Sequence, residues 1–330
     1  MVKNKIAVIG SGAMGTACAM ILAENKHDVI IYGIDKEEIN QLKVGKNTKY
    51  FDEETYLPHF NTTLNLIEAL DNANYVLLAV PTKFMPNVYK DVIANLNTDA
   101  IIINVSKGFW PNTTFSMHEG LAKYSEQKKH IKGIVSLIGP SYATEIVKRT
   151  ITLVSAVDNN KNNVKLVQKL FSNKYFRVYG QNDIKGAETG AIFKNMLAIA
   201  NGMLEGLGYK INTQAALITR GLQEMIAYCK YVGGKLKTLF GLTGVGDLIL
   251  TSLSENSRNY TYGKNFFKNK TIDTNITVEG LQSIKIIYEN IIVKKILDLP
   301  IIEALYQIIY NQRDVYDTIN DLLSRKLKNE

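Results

Sequence analysis

A glycine-rich turn set between an apolar strand and a helix constrains this chain more than any other feature. Ile6-Ala7-Val8-Ile9 runs into Gly10-Ser11-Gly12-Ala13-Met14-Gly15 and then into Thr16-Ala17-Cys18-Ala19. In a G-x-G-x-x-G turn the first glycine makes the sharp exit from the strand. The second lets a pyrophosphate approach the backbone, and the third lets the helix pack close to the sheet, with its N-terminal amides facing the phosphates. The spacing alone is weak evidence. Here it follows a buried-type strand, opens a helix and leads to a second strand at Val29–Tyr32, which is the context that a dinucleotide-binding βαβ unit requires.

The rest of the first half repeats that alternation. Continuous apolar runs at Tyr75–Val80 and Ala100–Val105 mark strands covered on both faces, as in a parallel sheet. Ile134–Ile138, Thr152–Ala156 and Tyr175–Tyr179 extend the sheet, with a helix at Leu166–Phe171 between the last two. Beyond about residue 184 the periodicity becomes helical, over 186–207, 213–232, 278–291, 301–309 and 315–327. The expected fold is therefore α/β. An N-terminal Rossmann-type doubly wound parallel sheet (1–184) is followed by an all-α C-terminal domain (185–330).

Length and charge narrow the function classes. A chain of 330 residues with 46% hydrophobic and 21% charged residues has enough apolar material for two ordinary cores. The net charge of +8 is scattered rather than gathered into a stripe, so no nucleic-acid partner is expected. A positive field favours capture of an anionic small molecule. With the first strand starting at once, no signal segment is expected, and no apolar run reaches the ~18 residues that span a membrane. A cytoplasmic location is the expectation. Cys18 and Cys229 read as small core residues without metal spacing, and no metal is expected.

The ribose end of the dinucleotide site is less regular. After the second strand comes Tyr32-Gly33-Ile34-Asp35-Lys36. Gly33 stands where the acid that grips a ribose hydroxyl often falls, which leaves Asp35 as the candidate. No arginine is there to clamp a 2′-phosphate, although Lys36 offers a positive charge for one. NAD and NADP both stay open.

Four further clusters suit chemistry. Ser106-Lys107-Gly108 follows the strand at Ala100–Val105, and Gly139-Pro140-Ser141-Tyr142-Ala143 follows that at Ile134–Ile138; both lie at carboxyl ends, where open α/β sheets bind ligands. On the helix from Gly186, the residues Gly186, Gly190, Lys194, Ala198 and Gly202 share one face. Lys194 then projects from a stripe of small residues that admits another backbone or a ligand. Finally, Gly241-Leu242-Thr243-Gly244-Val245-Gly246-Asp247 crowds glycine around a carboxylate, which could equally be a helix N-cap. Ser257-Arg258-Asn259 nearby offers a planar cationic fork with neutral donors, suited to a phosphate.

In chain order the segments GSGAMGTACA, SKG, GPSYATE, FKNMLAIANGM, GLTGVGDLILT, SRN, TVEGLQS and LPIIEALY resemble those of the NAD(P)-dependent sn-glycerol-3-phosphate dehydrogenases, almost end to end. The resemblance implies hydride transfer between NAD or NADP and a small phosphorylated substrate, serving phospholipid synthesis. It implies catalytic roles for Lys194, Asp247 and Lys107. Substrate contacts are implied at Lys107, Gly139, Ser141, Lys194, Asn195, Asp247, Ser257, Arg258 and Asn259. Cofactor contacts are implied at Gly10, Gly12, Ala13, Met14, Gly15, Lys107, Ala143, Arg258 and Glu279, with Asp35 added from its spacing. A homodimer is left open. The chain departs from the family at Met14, where tryptophan is usual, at Ala13, at Ile34, which replaces a basic residue, and at Thr277. Rival readings are a 6-phosphogluconate-type dehydrogenase, whose helix pairs lysine with an asparagine four residues on, and a dinucleotide sensor without turnover. Position 198 is alanine, against the first; a sensor needs no proton donor, against the second.

Overall fold

The computed structural model describes residues 3–268 and 278–326. Its strands are β1 (Lys5–Ile9), β2 (Asp28–Tyr32), β3 (Asn61–Thr63), β4 (Tyr75–Leu78), β5 (Ala100–Asn104), β6 (Ile131–Ile138), β7 (Thr152–Val157) and β8 (Phe176–Gln181). They form one eight-stranded sheet in the order β3-β2-β1-β4-β5-β6-β7-β8. The helices among and just after them are α1 (Ala13–Glu24), α2 (Lys36–Lys43), α3 (Leu66–Leu70), α4 (Met85–Asn95), α5 (Met117–Ser125), α6 (Ala143–Ile146) and α7 (Lys161–Phe171).

The central strands are apolar throughout because both their faces are covered. β4 and β5 are buried at every position. One face packs against α1, α6 and α7, with Ala17, Ile21, Val167 and Phe171 in the layer. The other packs against α3, α4 and α5, where Leu70, Tyr89 and Leu121 meet Val76 and Ile102. The chain leaves β1 outward through β2 and β3, then returns to set β4 on the other side of β1. Strand order therefore reverses between β1 and β4, and the crevice beyond their carboxyl ends is the natural ligand position.

The sheet is mostly parallel, as expected, with one antiparallel pairing. The sheet is parallel from β3 through β6, but β7 pairs antiparallel with β6, and β8 follows β7 in parallel. Between β6 and β7 the only described helix is the single turn α6, so the chain folds back instead of making a helical crossover. Continuous apolarity reports burial on two faces; it does not report direction. β8 lies at the sheet edge and alternates buried with exposed residues over its first four positions, as a half-covered strand should.

From residue 184 to the end no strand occurs among the described residues. The helices are α8 (Ile184–Gly206), α9 (Ile211–Val232), α10 (Leu236–Leu239), α11 (Asp247–Ser252), α12 (Arg258–Asn265), α13 (Glu279–Ile287), α14 (Pro300–Tyr310) and α15 (Val315–Leu323). A π-helical turn at Leu242–Gly246 precedes α11, and a second, at Tyr288–Ile292, extends α13. Residue 327, expected as the end of the last helix, lies outside the described residues. No described helix is long and apolar enough to cross a membrane.

α8 is the axis of this part. Every residue from Gly186 to Leu204 is buried, as in a helix surrounded by others. Its small residues receive backbone. A Cβ on Gly190 would sit 2.0 Å from the Thr243 carbonyl oxygen, and one on Gly202 would sit 2.1 Å from that of Tyr260. The glycine stripe is thus helix packing, and it draws the π-helical turn and α12 close against α8. Ile138 and Val157 from β6 and β7 meet Ala187 and Ala191 of α8, which joins the helix to the sheet. Glu224 of α9 is buried and accepts the Ile301 and Ile302 amides at 2.6 and 3.2 Å, tying down the first turn of α14.

Candidate active site

The glycine turn forms a cradle of the expected shape. Gly10 has φ +118°, in the region that favours glycine, and its Cβ position would lie 2.5 Å from the Ala79 carbonyl oxygen at the end of β4. On Gly15 a Cβ would lie 2.0 Å from the Gly10 carbonyl oxygen, so only glycine lets α1 start this close to the strand. Gly12 differs. The nearest atom to a Cβ there is the Tyr50 hydroxyl at 3.9 Å, which leaves open space above the turn. The start of α1 carries no acidic residue in its first turn and no side-chain cap, so its amides are free to meet an anion. These residues fit a dinucleotide pyrophosphate. Ala13 and Met14 open α1 and are half-buried, and Ala143, the first residue of α6, joins the core cluster that contains α1.

Asp35, expected to grip a ribose hydroxyl, caps α2. Its Oδ1 accepts the Glu37 and Glu38 amides at 2.9 and 3.3 Å, and the carboxyl is held below the usual range chiefly by those two amides.

The chemical centre gathers three segments. Asp247 opens α11, at the end of the π-helical turn that Gly190 admits. It is not an N-cap, because Gly246 holds that position. Its Oδ1 accepts from Lys194 Nζ at 2.7 Å and its Oδ2 from Lys107 Nζ at 2.8 Å. One carboxylate therefore bridges two ammonium groups from different parts of the chain. Thr251, one helical turn beyond Asp247, accepts from Lys194 Nζ at 3.1 Å. Lys107 also donates to the Gly139 carbonyl at 3.2 Å, and Ser141 Oγ donates to that same oxygen at 3.2 Å. Tyr142 OH donates to the Leu250 carbonyl at 2.9 Å, which fastens the Gly139–Ala143 segment to α11.

Burial sets the electrostatics. Lys194 is 6% exposed and Asp247 1% exposed, so neither charge is solvated by bulk water. Burial pushes the Lys194 ammonium well below the ordinary lysine range; Asp247 opposes that shift and Lys107 reinforces it. Burial pushes Asp247 up, but the two ammonium groups outweigh it and hold the carboxyl below its ordinary value. With both lysines protonated the trio carries one net positive charge. An ammonium held beside a carboxylate, with its proton affinity lowered by burial, is suited to giving and retaking a proton near neutral pH.

The rim comes from α12 and α13. Arg258 donates from Nη2 to Glu279 Oε1 at 2.8 Å, and its side chain remains 58% exposed, so part of the guanidinium fork faces solvent. Ser257 caps α12, its Oγ accepting the Tyr260 amide at 3.3 Å. Buried Asn259 accepts the Gly280 amide at 3.0 Å. A Cβ on Gly280 would stand 2.7 Å from the Asn195 carbonyl oxygen, so the start of α13 is wedged between α8 and α12. Arg258, Asn259 and Glu279 are thereby brought to the stretch of α8 that carries Lys194 and Asn195. Thr277 lies outside the described residues.

Sequence reading missed Thr251 and Glu38. Thr251 had a local signal, since it stands four residues after Asp247 on a helix. Glu38 had only its place in the first turn of α2. It is 7% exposed and accepts from Ser11 Oγ inside the glycine cradle at 2.5 Å.

Two family models match. Residues 5–164 match the N-terminal region of NAD-dependent glycerol-3-phosphate dehydrogenase, and residues 183–320 its C-terminal region. A protein of Mycoplasma mobile named glycerol-3-phosphate dehydrogenase [NAD(P)+] is 49% identical over 331 residues, covering 99% of this chain and 98% of its own. One of the same name from Acholeplasma laidlawii is 38% identical over 334 residues, covering 99% of both. The crystal structure of a glycerol-3-phosphate dehydrogenase from Coxiella burnetii superposes with a TM-score of 0.87 at 28% identity, covering 98% of this chain and 99% of that one.

Proposed function

The chain belongs to the NAD-dependent glycerol-3-phosphate dehydrogenase family, and from that premise we propose that Lys194 is the proton donor and acceptor of its reaction. The reaction interconverts sn-glycerol 3-phosphate and dihydroxyacetone phosphate with NAD(P)(H), and glycerol 3-phosphate feeds phospholipid synthesis. The observation that carries the assignment is the buried Lys194 ammonium, fixed 2.7 Å from a carboxylate that also holds Lys107.

Bound nicotinamide supplies or accepts the hydride; this chain's residues handle charge, proton and orientation. A carbonyl oxygen that gains negative charge is stabilised by an adjacent ammonium, and Lys194 then donates the proton. In the reverse direction the neutral Lys194 amine removes the hydroxyl proton. Asp247 orients both lysines and offsets their mutual repulsion. Lys107, braced by the Gly139 carbonyl, adds positive charge where an anionic substrate must enter. Arg258, anchored by Glu279, presents its open edge to the substrate phosphate and so fixes which carbon faces the nicotinamide. Asn195, Ser257 and Asn259 complete the substrate side, and Gly10, Gly12, Ala13, Met14, Gly15 and Ala143 the cofactor side. We also propose a division into a dinucleotide-binding unit, residues 1–184, and a helical substrate unit, residues 185–330. The proposed compartment is the cytoplasm, and a homodimer is compatible with the reading.

Two measurements test these assignments. Arg258→Ala should raise the KM for dihydroxyacetone phosphate about 10- to 100-fold, the worth of a charge-assisted phosphate contact. Its rate with phosphate-free dihydroxyacetone should not change. A KM within twofold of the parent, or a parent enzyme indifferent to the phosphate, removes Arg258 from the substrate site. The pH profile tests Lys194. Reduction needs the ammonium and oxidation needs the amine. The rate of glycerol 3-phosphate oxidation should therefore rise, and that of dihydroxyacetone phosphate reduction fall, across a limb well below the 10.5 of an ordinary lysine. That limb belongs to the coupled lysine–aspartate–lysine set as a whole. A limb at 10.5 or above contradicts the assignment.

A further inference from the structure

Resting on the dehydrogenase reading, we propose that Glu38 supplies the ribose-side carboxylate that Gly33 lacks, and that it makes this chain select NAD(H) over NADP(H). At Gly33, the tip of β2, a side chain would crowd Ser11 and Ile39. A Cβ on Gly33 would lie 2.5 Å from Ser11 Oγ and 2.9 Å from Ile39 Cδ1. Helix α2 brings a carboxylate to the same place from the other side. Glu38 Oε2 accepts from Ser11 Oγ at 2.5 Å, and Ser11 stands between the first two glycines of the cradle. The carboxylate is thus bonded to the turn that a dinucleotide must lie against.

The segment after α2 locks this arrangement. Asn47 Nδ2 donates to the Ser11 carbonyl at 2.9 Å and to Thr16 Oγ1 at 3.0 Å, which straps residues 47–50 over the start of α1. The strap carries Lys49 and Tyr50 to Glu38 Oε1, at 2.6 and 3.3 Å. It also sets the Tyr50 hydroxyl beside the open space above Gly12.

Charge then decides between the cofactors. Lys49 lies 2.6 Å from Glu38 and 3.7 Å from Asp35, so one ammonium is shared by two carboxylates. The set of three carries one net negative charge. A 2′-phosphate adds a charge of about −1.5 to −2. Residues 33–50 offer it no arginine fork: Lys49 is taken up by Glu38 and Asp35, Lys36 of α2 is the cation next to the β2 tip, and Ile34 at that tip is 89% exposed and uncharged. A ribose with free hydroxyls brings hydrogen-bond donors to the same carboxylate and hydroxyl. The discrimination is a repulsion built against the phosphorylated cofactor.

The test is equilibrium binding, without turnover. Nicotinamide fluorescence is titrated with NADH and with NADPH for the parent, Glu38→Gln and Ile34→Arg proteins. The parent should bind NADH at least about tenfold more tightly, because like-charge juxtaposition is costly. Glu38→Gln keeps an acceptor for Ser11 and should shrink that ratio severalfold through tighter NADPH binding. Ile34→Arg, a surface change with no role in folding, should shrink it in the same way. Equal affinities in the parent, or an unchanged ratio in Glu38→Gln, overturns the inference while leaving the dehydrogenase reading intact. Binding of neither dinucleotide overturns both.

Discussion

Lys194→Met should reduce turnover about 10³- to 10⁴-fold in both directions while dinucleotide affinity stays within about twofold of the parent. The first figure is the combined worth of general acid–base catalysis and of a positioned cation beside the developing oxyanion. The second follows from the fold: Lys194 lies on α8, whereas the glycine cradle is built at the ends of β1 and β4. The protein should also remain folded. Methionine fills the space of the lysine stem, and Asp247 keeps Lys107 at 2.8 Å as its partner, so no buried charge is orphaned. Steady-state rates and fluorescence titration on the same preparation check both parts. Activity within tenfold of the parent discards Lys194 as the acid/base.

Asp247→Asn should have the opposite balance of effects, with a large cost in stability as well as in rate. The amide leaves two ammonium groups, from Lys107 and Lys194, facing one another with no anion between them. Removing one partner from a buried ion cluster costs about 3–5 kcal/mol. The pH dependence carries the sign. Asp247 raises the Lys194 pKa in the parent, so its removal depresses that pKa further below 10.5. Between the depressed value and 10.5 the unfolded chain binds more protons than the native one, so stability rises with pH across that window. The variant should recover part of its loss between pH 7 and pH 9, measured by urea denaturation. A deficit that is constant with pH would mean that Asp247 serves packing and not charge balance.

How far the sequence reached can be judged from particular residues. Strands β1, β4 and β5 were legible because an unbroken run of β-branched and aliphatic residues has no other use in a chain with this alternation. α8 was legible from its length and period. Helix α2 has a start signal in Asp35 followed by Glu37 and Glu38, but the same aspartate also stands at the spacing of a ribose ligand, and local sequence does not separate the two roles. Family resemblance named Lys107, Lys194 and Asp247, but it did not say that one carboxylate spans both ammonium groups. It was also silent on Thr251 as their fourth partner. The direction of β7 and β8 was missed for a plain reason: apolarity records how many faces are covered and nothing about orientation.

By itself the sequence determined what depends on near neighbours. The glycine turn, the strand and helix periods and the site residue types all follow from local sterics and from which faces must be hidden from water. Tertiary structure alone decided what depends on residues far apart in the chain. Asp247 meets Lys107 across 140 positions and Lys194 across 53, and Ser11 meets Glu38 across 27. Those meetings are set by how closely Gly190 lets the turn before α11 approach α8, and by how Asn47 straps α2 to the cradle. Charges whose behaviour depends on burial acquire their chemistry only when that packing is complete.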